Sequence, residues 1–169
     1  MKSPKHSTPE NKGSDQAERI YLCVVDRSEE LSKALRFACR RAVHTNSRVG
    51  LVTFIEPADF QHWMFVGNLM RDEQLEEAQE MLHVVANVVE KRTGRKPLVY
   101  VREGKIHEQL IDLIREETGI ALLVLGAATG PEGPGDLVSS MVQKLAGRLR
   151  CPITVVPGNL SDDDIDAIT

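Results

Sequence analysis

The sequence predicts an α/β fold: an open, doubly wound sheet of five parallel strands with helices on both faces. Five short apolar runs rich in β-branched residues recur along the chain, which is typical of strands buried on both faces. Segments with apolar residues at helical spacing separate these runs, so the chain alternates as βαβ units require. With 169 residues, 41% hydrophobic and 27% charged, it has the composition of one globular domain. A collagen-like, wholly disordered or disulfide-scaffold chain is excluded.

The first half of the chain contains two of the predicted strands. The first, Ile20 to Val25, is a continuous apolar run, and the second extends from Val49 to Ile55. Between them, small and apolar residues recur at helical spacing from Leu31 to Ala42, which predicts a helix that packs closely on a sheet. Ser28 is the candidate N-cap of this helix, because a serine side chain accepts hydrogen bonds from the first free N–H groups.

An aromatic segment follows the second strand and has two interpretations. Residues 58–70 are predicted to be irregular, and the segment 54–65 holds three of the four phenylalanines and the single tryptophan. It would form either a lid over a ligand cleft or a hydrophobic plug beneath the next helix. That long helix is predicted from Arg71 to Arg92, and the third strand from Leu98 to Val101.

The second half of the chain repeats the alternation. A helix from Ile106 to Thr118 precedes the fourth strand, Ile120 to Leu125, and a helix from Leu137 to Leu149 precedes the fifth, Ile153 to Val156. A loop rich in Gly and Pro, residues 126–136, follows the fourth strand. Ligands of doubly wound folds bind beyond the carboxyl ends of the strands. The residues that end the strands are therefore candidates for ligand contact: Asp26, Glu56, Gly104 and residues 126–140.

Charge divides the chain into a body and two flanking segments. Residues 1–18 are polar and contain Pro and Gly, which predicts a disordered N-terminal arm, and residues 159–169 are predicted to be an acidic disordered tail. The four aspartates of that tail equal the whole formal net charge of −4, so the domain at 19–158 is nearly neutral. A neutral body offers no electrostatic footprint for nucleic acid.

Location and redox state are predicted from further features. No run approaches the roughly 18 consecutive apolar residues of a membrane span, and Met1 to Arg19 contains no apolar core of a signal peptide. The three cysteines, Cys23, Cys39 and Cys151, form no CxxC or metal-ligand pattern. We therefore expect a cytoplasmic protein with reduced thiols and no membrane partner.

The loop after the fourth strand is the sharpest feature of the sequence, and it has two interpretations. Its glycines would let backbone N–H groups approach an anion near a helix start, as phosphate sites require. It fits neither GxxxxGK[ST] nor GxGxxG, however, and it contains Glu132 and Asp136 but no Lys or Arg. A carboxylate ~8 Å from a phosphate charge costs ~0.5–2 kcal/mol, which a bridging divalent cation would offset. The alternative is a surface loop without a ligand.

Three polar residues near this edge also have two interpretations each. Ser139 and Ser140 could donate hydroxyls to a phosphate, but Ser140 with Gln143 also fits an S-x-x-Q capping box that would start the helix later. Asp26 could accept hydrogen bonds from an amine or a ribose hydroxyl, or it could serve only in a turn. The five histidines fall on separate elements, and no catalytic triad with a nucleophile elbow is apparent.

From about Ile20 to Pro157 the chain resembles the universal stress protein family. Four segments carry the resemblance through their order and spacing: Val24 to Glu29, Val101 to Ile106, Val124 to Gly126, and Cys151 to Val156. The resemblance implies a Rossmann-like fold of the adenine nucleotide alpha-hydrolase-like type. It also implies a site for an adenine nucleotide.

ATP-binding members of that family carry the pattern G-x₂-G-x₉-G-[ST]. By this resemblance Gly126 is the first glycine, whereas Thr129 and Ser139 replace the other two. The family's adenine-side acid corresponds to Asp26, and the residue whose backbone meets adenine corresponds to Phe54. The side chains at the two replaced glycines are expected to weaken phosphate binding, because they hinder close backbone approach. The implied binding residues are Val25, Asp26, Phe54, Gly126, Thr129, Gly130, Ser139, Ser140 and Met141.

The resemblance thus implies a regulatory module that binds ATP or another adenine nucleotide weakly, with Mg²⁺, at the carboxyl ends of strands 1 and 4. It also implies a homodimer formed through the last strand, Ile153 to Val156. One alternative is a dimeric interaction protein of the same fold that binds a protein partner and no nucleotide. A second alternative is a slow nucleotide hydrolase, for which the sequence supplies no general base, nucleophile or metal cluster.

Overall fold

The computed structural model describes residues 18–56 and 64–169, and it confirms the predicted fold class. A five-stranded parallel sheet has helices packed on both faces. The strands are β1 (Ile20–Val24), β2 (Arg48–Ile55), β3 (Leu98–Glu103), β4 (Ile120–Ala127) and β5 (Ile153–Pro157). The helices are α1 (Leu31–His44), α2 (Met64–Thr93), α3 (Ile106–Glu116), α4 (Asp136–Ser140) and α5 (Asp162–Ile168). A π-helical turn, Met141–Leu145, and a 3₁₀ turn, Ala146–Arg148, continue α4.

The strand order β3-β2-β1-β4-β5 places β1 at the centre of the sheet. Ile20 of β1 is in register with Arg48 of β2 on one side and with Ile120 of β4 on the other. The chain therefore winds outward from β1 to β3 in one direction and from β4 to β5 in the other. This reversal puts the topological switch point between β1 and β4, where open α/β folds bind ligands.

Apolar side chains cover both faces of the sheet. Alternate residues of β1 face opposite cores, since Ile20 packs with α3 and α4 whereas Tyr21 packs with α1, α2 and α5. This explains the continuous apolar run in the sequence. The small-residue stripe of α1 is buried against the sheet as predicted: Ala34, Leu35, Ala38, Cys39 and Ala42. Within the described residues, no helix has the length and apolarity needed to cross a membrane.

Helix α2 is longer than the sequence predicted. It begins at Met64 rather than Arg71, so part of the stretch expected to be irregular is helical. Since Met and Leu are good helix formers, one glycine, Gly67, does not interrupt the helix there. In the aromatic segment, Phe60 and Trp63 lie outside the described residues, and the choice between lid and plug stays a prediction.

The acidic segment 159–169 is not the disordered tail that we predicted, because it contains α5. Ser161 caps this helix by accepting a hydrogen bond from the Asp164 N–H at 3.1 Å. Ile165 is fully buried in the core formed with α1 and α2. The prediction was wrong because it weighed the aspartates and overlooked this apolar anchor. A helix dipole also favours aspartates in the first turn.

Residues 1–17 of the predicted N-terminal arm lie outside the described residues. Glu18, the last residue assigned to that arm, forms ion pairs with Arg48 and Arg95. The two arginines stand at the start of β2 and just before β3. Glu18 therefore belongs to the folded body at the amino ends of the strands.

Candidate functional site

A cavity of about 300 Å³ opens at the switch point between β1 and β4. Val24 and Asp26 border it from the end of β1, and Leu125 and Gly126 border it from β4. The start of α4 and the loop before it complete the wall, with residues 134–138. The cavity thus occupies the position predicted from the strand pattern, because the carboxyl ends of parallel strands meet at one edge.

Asp26 has a turn role and also faces the cavity. Its Oδ1 accepts hydrogen bonds from the Ser28 N–H at 3.0 Å and from the Ser28 hydroxyl at 2.6 Å. Its Oδ2 accepts no hydrogen bond from the residues that the structure describes, and the side chain is exposed. Ser28 is therefore part of this turn and not the N-cap of α1. That position is Glu30, which makes no side-chain cap bond.

Gly126 is required for packing against the start of α1. A Cβ atom at this position would lie 2.9 Å from the backbone oxygen of Glu30, which is closer than real contacts allow. Gly158 meets the same residue, since a Cβ there would lie 2.7 Å from Glu30 Cγ. Glu30 itself also borders the cavity. Packing alone therefore explains Gly126, whether or not a phosphate binds.

The loop between β4 and α4 faces solvent. Thr129 and Gly130 are exposed, and a Cβ at Gly130 would meet nothing within 4 Å. Gly133 and Gly135 have φ of +90° and +93°, a conformation that favours glycine. Neither Thr129 nor Gly130 borders the cavity. Their contact with a ligand stays a prediction from the family pattern.

Helix α4 begins at Asp136, so the capping box from Ser140 to Gln143 does not form. Ser140 Oγ instead donates back to the carbonyl oxygen of Asp136 at 2.6 Å, as serines inside helices do. The π-helical turn Met141–Leu145 follows directly, and such turns are frequent at functional sites. The sequence suggested a later helix start because it gave no sign of this back-bonding.

Sequence reasoning missed a contact between His107 and Ser140. His107 lies in the first turn of α3, just beyond β3, and its Nε2 is within hydrogen-bond distance of Ser140 Oγ. A signal was available, since both residues follow strands whose carboxyl ends share one edge. Among the described hydrogen bonds, no carboxylate accepts from the Nδ1 of His107.

Two of the predicted contacts are core residues. Val25 is 1% exposed, and its N–H donates to the carbonyl oxygen of Val52 at 2.8 Å. Met141 is fully buried beneath α4. Neither side chain borders the cavity. Ser139 is half-buried, and its N–H is already used by the Gly135 carbonyl at 3.0 Å.

Phe54 lines a neighbouring cavity of about 310 Å³ rather than the one beside Asp26. The second cavity lies between the end of β2 and α2, and Arg27 borders it. Arg27 also forms an ion pair with Glu77 of α2, with its Nη2 2.7 Å from Oε2, and both residues border that cavity. Because Arg27 directly follows Asp26, the two cavities are neighbours along the carboxyl edge. The structure thus brings Asp26 and Gly126 together and sets Phe54 beside them.

The cavity at the switch point is lined by acids without bases. Asp26, Glu30 and Asp136 border it, and its lining includes no Lys or Arg. Glu132, the other acid of the loop, is exposed and lies outside the lining. Within the described part of the chain, no three His, Cys, Asp or Glu side chains are arranged to hold a metal ion. A cation here would need ligands from a bound molecule as well.

Fold and site together define a doubly wound α/β protein with a ligand-sized cavity at the carboxyl edge of its sheet. The sequence model of the Universal stress protein family matches residues 19–157, and the chain belongs to this family. The match ends before α5, so that helix lies outside the part shared with the family. A search of curated proteins finds no match to this sequence.

Solved structures of the family share this fold. Universal stress protein UspA from Lactobacillus plantarum is 17% identical, with a TM-score of 0.69, and the match covers 82% of this chain and 97% of that one. A universal stress protein in complex with cAMP is 18% identical, with a TM-score of 0.61 and coverage of 83% and 97%. The universal stress protein from Archaeoglobus fulgidus in complex with dAMP is 18% identical, with a TM-score of 0.59 and coverage of 82% and 97%.

Proposed function

We propose that this chain is a regulatory module that binds an adenine nucleotide weakly, together with a divalent cation, in the cavity between β1 and β4. The observation that carries the proposal is the position of Asp26. This carboxylate borders the cavity and keeps Oδ2 without a hydrogen bond from the described residues. Such an oxygen can accept from an adenine amine or a ribose hydroxyl. The family members in complex with cAMP and dAMP support this ligand class.

The volume at the carboxyl edge is in keeping with a nucleotide. Ligand pockets commonly measure roughly 300–1,000 Å³, and the cavity beside Asp26 measures about 300 Å³. The neighbouring cavity beside Phe54 adds about 310 Å³. The family resemblance aligns Phe54 with the adenine side, so we propose that the base extends toward the second cavity. The phosphates would then lie near Gly126 and α4.

The acid lining makes a cation part of the proposal. Each carboxylate ~8 Å from a phosphate charge costs ~0.5–2 kcal/mol, and Asp26, Glu30 and Asp136 all border the cavity. Mg²⁺ usually binds through one or two carboxylates together with phosphate oxygens, so no complete protein cage is needed. Asp136 and Glu30 are the carboxylates that would hold the ion. Bound there, Mg²⁺ would turn the repulsion between protein and phosphates into attraction.

Isothermal titration of the full chain with ATP tests this proposal. We expect binding in Mg²⁺ and none in a chelator. Asp136→Asn should reduce the dependence on Mg²⁺, whereas the matched loop variant Glu132→Gln should leave it unchanged because Glu132 does not border the cavity. Tight ATP binding in the chelator would show that the electrostatic argument is wrong.

The second candidate function is a protein-interaction module of the same fold that binds no nucleotide. The absence of Lys and Arg from the cavity lining favours it, since most phosphate sites supply a cation. The double variant Thr129→Gly with Ser139→Gly separates the two candidates. If a nucleotide binds, removing both side chains should tighten it by letting the backbone approach the phosphates. A folded double variant that gains no affinity, even with Mg²⁺, would favour the interaction module.

We also propose a homodimer formed through β5, in a cytoplasmic protein. β5 is an edge strand of the sheet, and Ile153, Thr154 and Val155 are only half-buried, which leaves an apolar edge to cover. Sedimentation should show a dimer at micromolar concentration and a monomer for Val155→Lys. Val99→Lys, on the opposite edge strand, is the matched control and should stay dimeric. A wild-type monomer at high concentration would contradict the proposal.

The cytoplasmic location is supported by the three cysteines, which are free and buried, in keeping with a reducing compartment.

A further inference from the structure

We propose that a third pocket, away from the carboxyl edge of the sheet, binds a phosphate dianion. The pocket has a volume of about 240 Å³ and lies between the C-terminal halves of α1 and α2. Its six lining residues are Arg36, Cys39, Arg40, Val43, His44 and Arg92. Three of them are arginines and none is acidic. We call it the basic pocket.

Carboxylates of α5 pair with two of the three arginines of the basic pocket, Arg36 and Arg40. Arg36 takes both oxygens of Asp166, with its Nε 2.8 Å from Oδ1 and its Nη2 2.7 Å from Oδ2. Arg40 Nε lies 3.3 Å from the same Oδ1, yet it is buried and has no hydrogen-bond partner in the described structure. Asp162 is shared between Arg36 and Lys33. The Nε of Arg40 therefore makes an ion pair but no hydrogen bond, so Asp166 does not fully use the donors of Arg40.

Arg92 supplies the unneutralised charge of the basic pocket. Among the described residues it forms no ion pair, although it stands beside the buried Cys39. Burial raises the pKa of the Cys39 thiol to about 11, with nearby Arg92 acting in the opposite direction. The thiol is therefore protonated at neutral pH and offers no counter-charge. The guanidinium of Arg92 thus lines the pocket together with two arginines that share the carboxylates of α5.

The chemistry of the lining selects a phosphate group. Guanidinium groups bind phosphate through paired, charge-assisted hydrogen bonds, and their planar shape makes these contacts specific. The volume is below the roughly 300–1,000 Å³ of ordinary ligand pockets, which favours a small anion over a nucleotide. Cations at helix C-termini are also favoured by the helix dipole. That effect accounts for His44 and Arg92 in the last turns, whereas Arg36 and Arg40 converge on Asp166 of α5.

Calorimetric titration of the full chain with inorganic phosphate tests the proposal, with chloride added to hold the ionic strength constant. A parallel titration uses glycerol 3-phosphate, which is a phosphate monoester. If inorganic phosphate binds more tightly, the preferred ligand is free phosphate. If glycerol 3-phosphate binds more tightly, the preferred ligand is a phosphate monoester. We expect saturable binding that Arg92→Gln weakens about tenfold, as loss of one charge-assisted hydrogen bond implies. Arg92→Lys should restore part of it, because the charge remains without the planar fork.

Lys91→Gln is the matched control, since it removes one positive charge from the adjacent, exposed residue outside the pocket lining. It should bind phosphate within about twofold of the wild type. A purely structural role for Arg92 would lower thermal stability and leave phosphate affinity unchanged, which would overturn the proposal. Equal weakening of phosphate binding by Arg92→Gln and Lys91→Gln would also overturn the proposal. The absence of saturable binding of both inorganic phosphate and glycerol 3-phosphate would do the same. None of these outcomes depends on ATP binding at the carboxyl edge.

Discussion

The pocket at the switch point and the basic pocket between α1 and α2 are similar in size but opposite in charge. Both are small, at about 300 and 240 Å³, and both border α1. Their linings carry opposite charge, with Asp26, Glu30 and Asp136 in the first and three arginines in the second. The sheet topology favours the first as a ligand site, whereas electrostatics favours the second for an anion.

The two pockets differ in origin, because sheet topology forms the first and particular side chains form the second. Every doubly wound sheet has a crevice at its switch point, so the first pocket comes with the topology. The basic pocket instead depends on side chains of α1 and α2 and on α5, which pairs with Arg36 and Arg40. The family model matches the α1 and α2 residues that line the basic pocket, but its match ends before the α5 carboxylates that pair with them.

The largest expected effect comes from removing the anchor of α5. Ile165→Ala should lower the free energy of unfolding by about 2–5 kcal/mol, since it empties a fully buried site. Ile168→Ala in the same helix is the control, because this side chain is 61% exposed, and it should cost less than about 0.5 kcal/mol. Denaturant unfolding and amide exchange of α5 measure both. Equal effects of the two variants would mean that α5 is not docked through Ile165.

A smaller effect is expected at the switch point. Asp26→Ala should weaken an adenine nucleotide by about 1–3 kcal/mol, as loss of a charged acceptor implies, and leave phosphate binding at the basic pocket unchanged. Asp26→Asn keeps an oxygen for the Ser28 N–H and removes only the charge, so it controls for loss of the turn. Calorimetry with ATP and with phosphate provides both readouts. Unchanged ATP affinity in Asp26→Ala would remove this residue from the site.

The sequence predicted the sheet well because buried parallel strands leave a local signal. The run Ile20 to Val25 and the stripe from Leu31 to Ala42 each identify an element without knowledge of the rest of the chain. The predictions from sequence were wrong where tertiary packing determines the secondary structure. Ile165 stands among aspartates, and its contact with the α1 and α2 core, which anchors α5, gives no local signal in the sequence.

The candidate site was predictable in position but not in composition. Strand ends located Asp26 and Gly126 beside one cavity, because topology alone brings them together. Glu30 was missed as a cavity residue, since its approach to Gly126 depends on how α1 packs. The contact between His107 and Ser140 was also missed, although both residues follow strands whose carboxyl ends share one edge. That shared edge indicates a common region of the molecule, whereas the contact itself depends on how α3 and α4 pack.

The smallest expected effect tests how α5 competes for the arginines of the basic pocket. A hydrogen bond from Arg36 lowers the pKa of Asp166, and one from Lys33 lowers the pKa of Asp162. Their contribution to stability is therefore fully present above the ordinary carboxyl pKa of about 3.9 and is lost as the pH falls through the lower, folded-state values. Both carboxylates sit near the surface, so added salt should weaken the contribution as well.

Asp166→Asn should accordingly destabilise α5 at neutral pH, and its difference from the wild type should shrink as the pH approaches 3. The same variant should bind phosphate more tightly, because it frees Arg36 and Arg40 from their shared counter-charge. Asp163→Asn is the control in the same helical turn, since Asp163 forms no ion pair among the described residues. Amide exchange of α5 between pH 7 and 3 and phosphate calorimetry at pH 7 measure the two effects. A stability difference that does not change with pH would show that the ion pairs do not hold α5. Unchanged phosphate affinity would show that Asp166 and the anion do not compete for the same arginines.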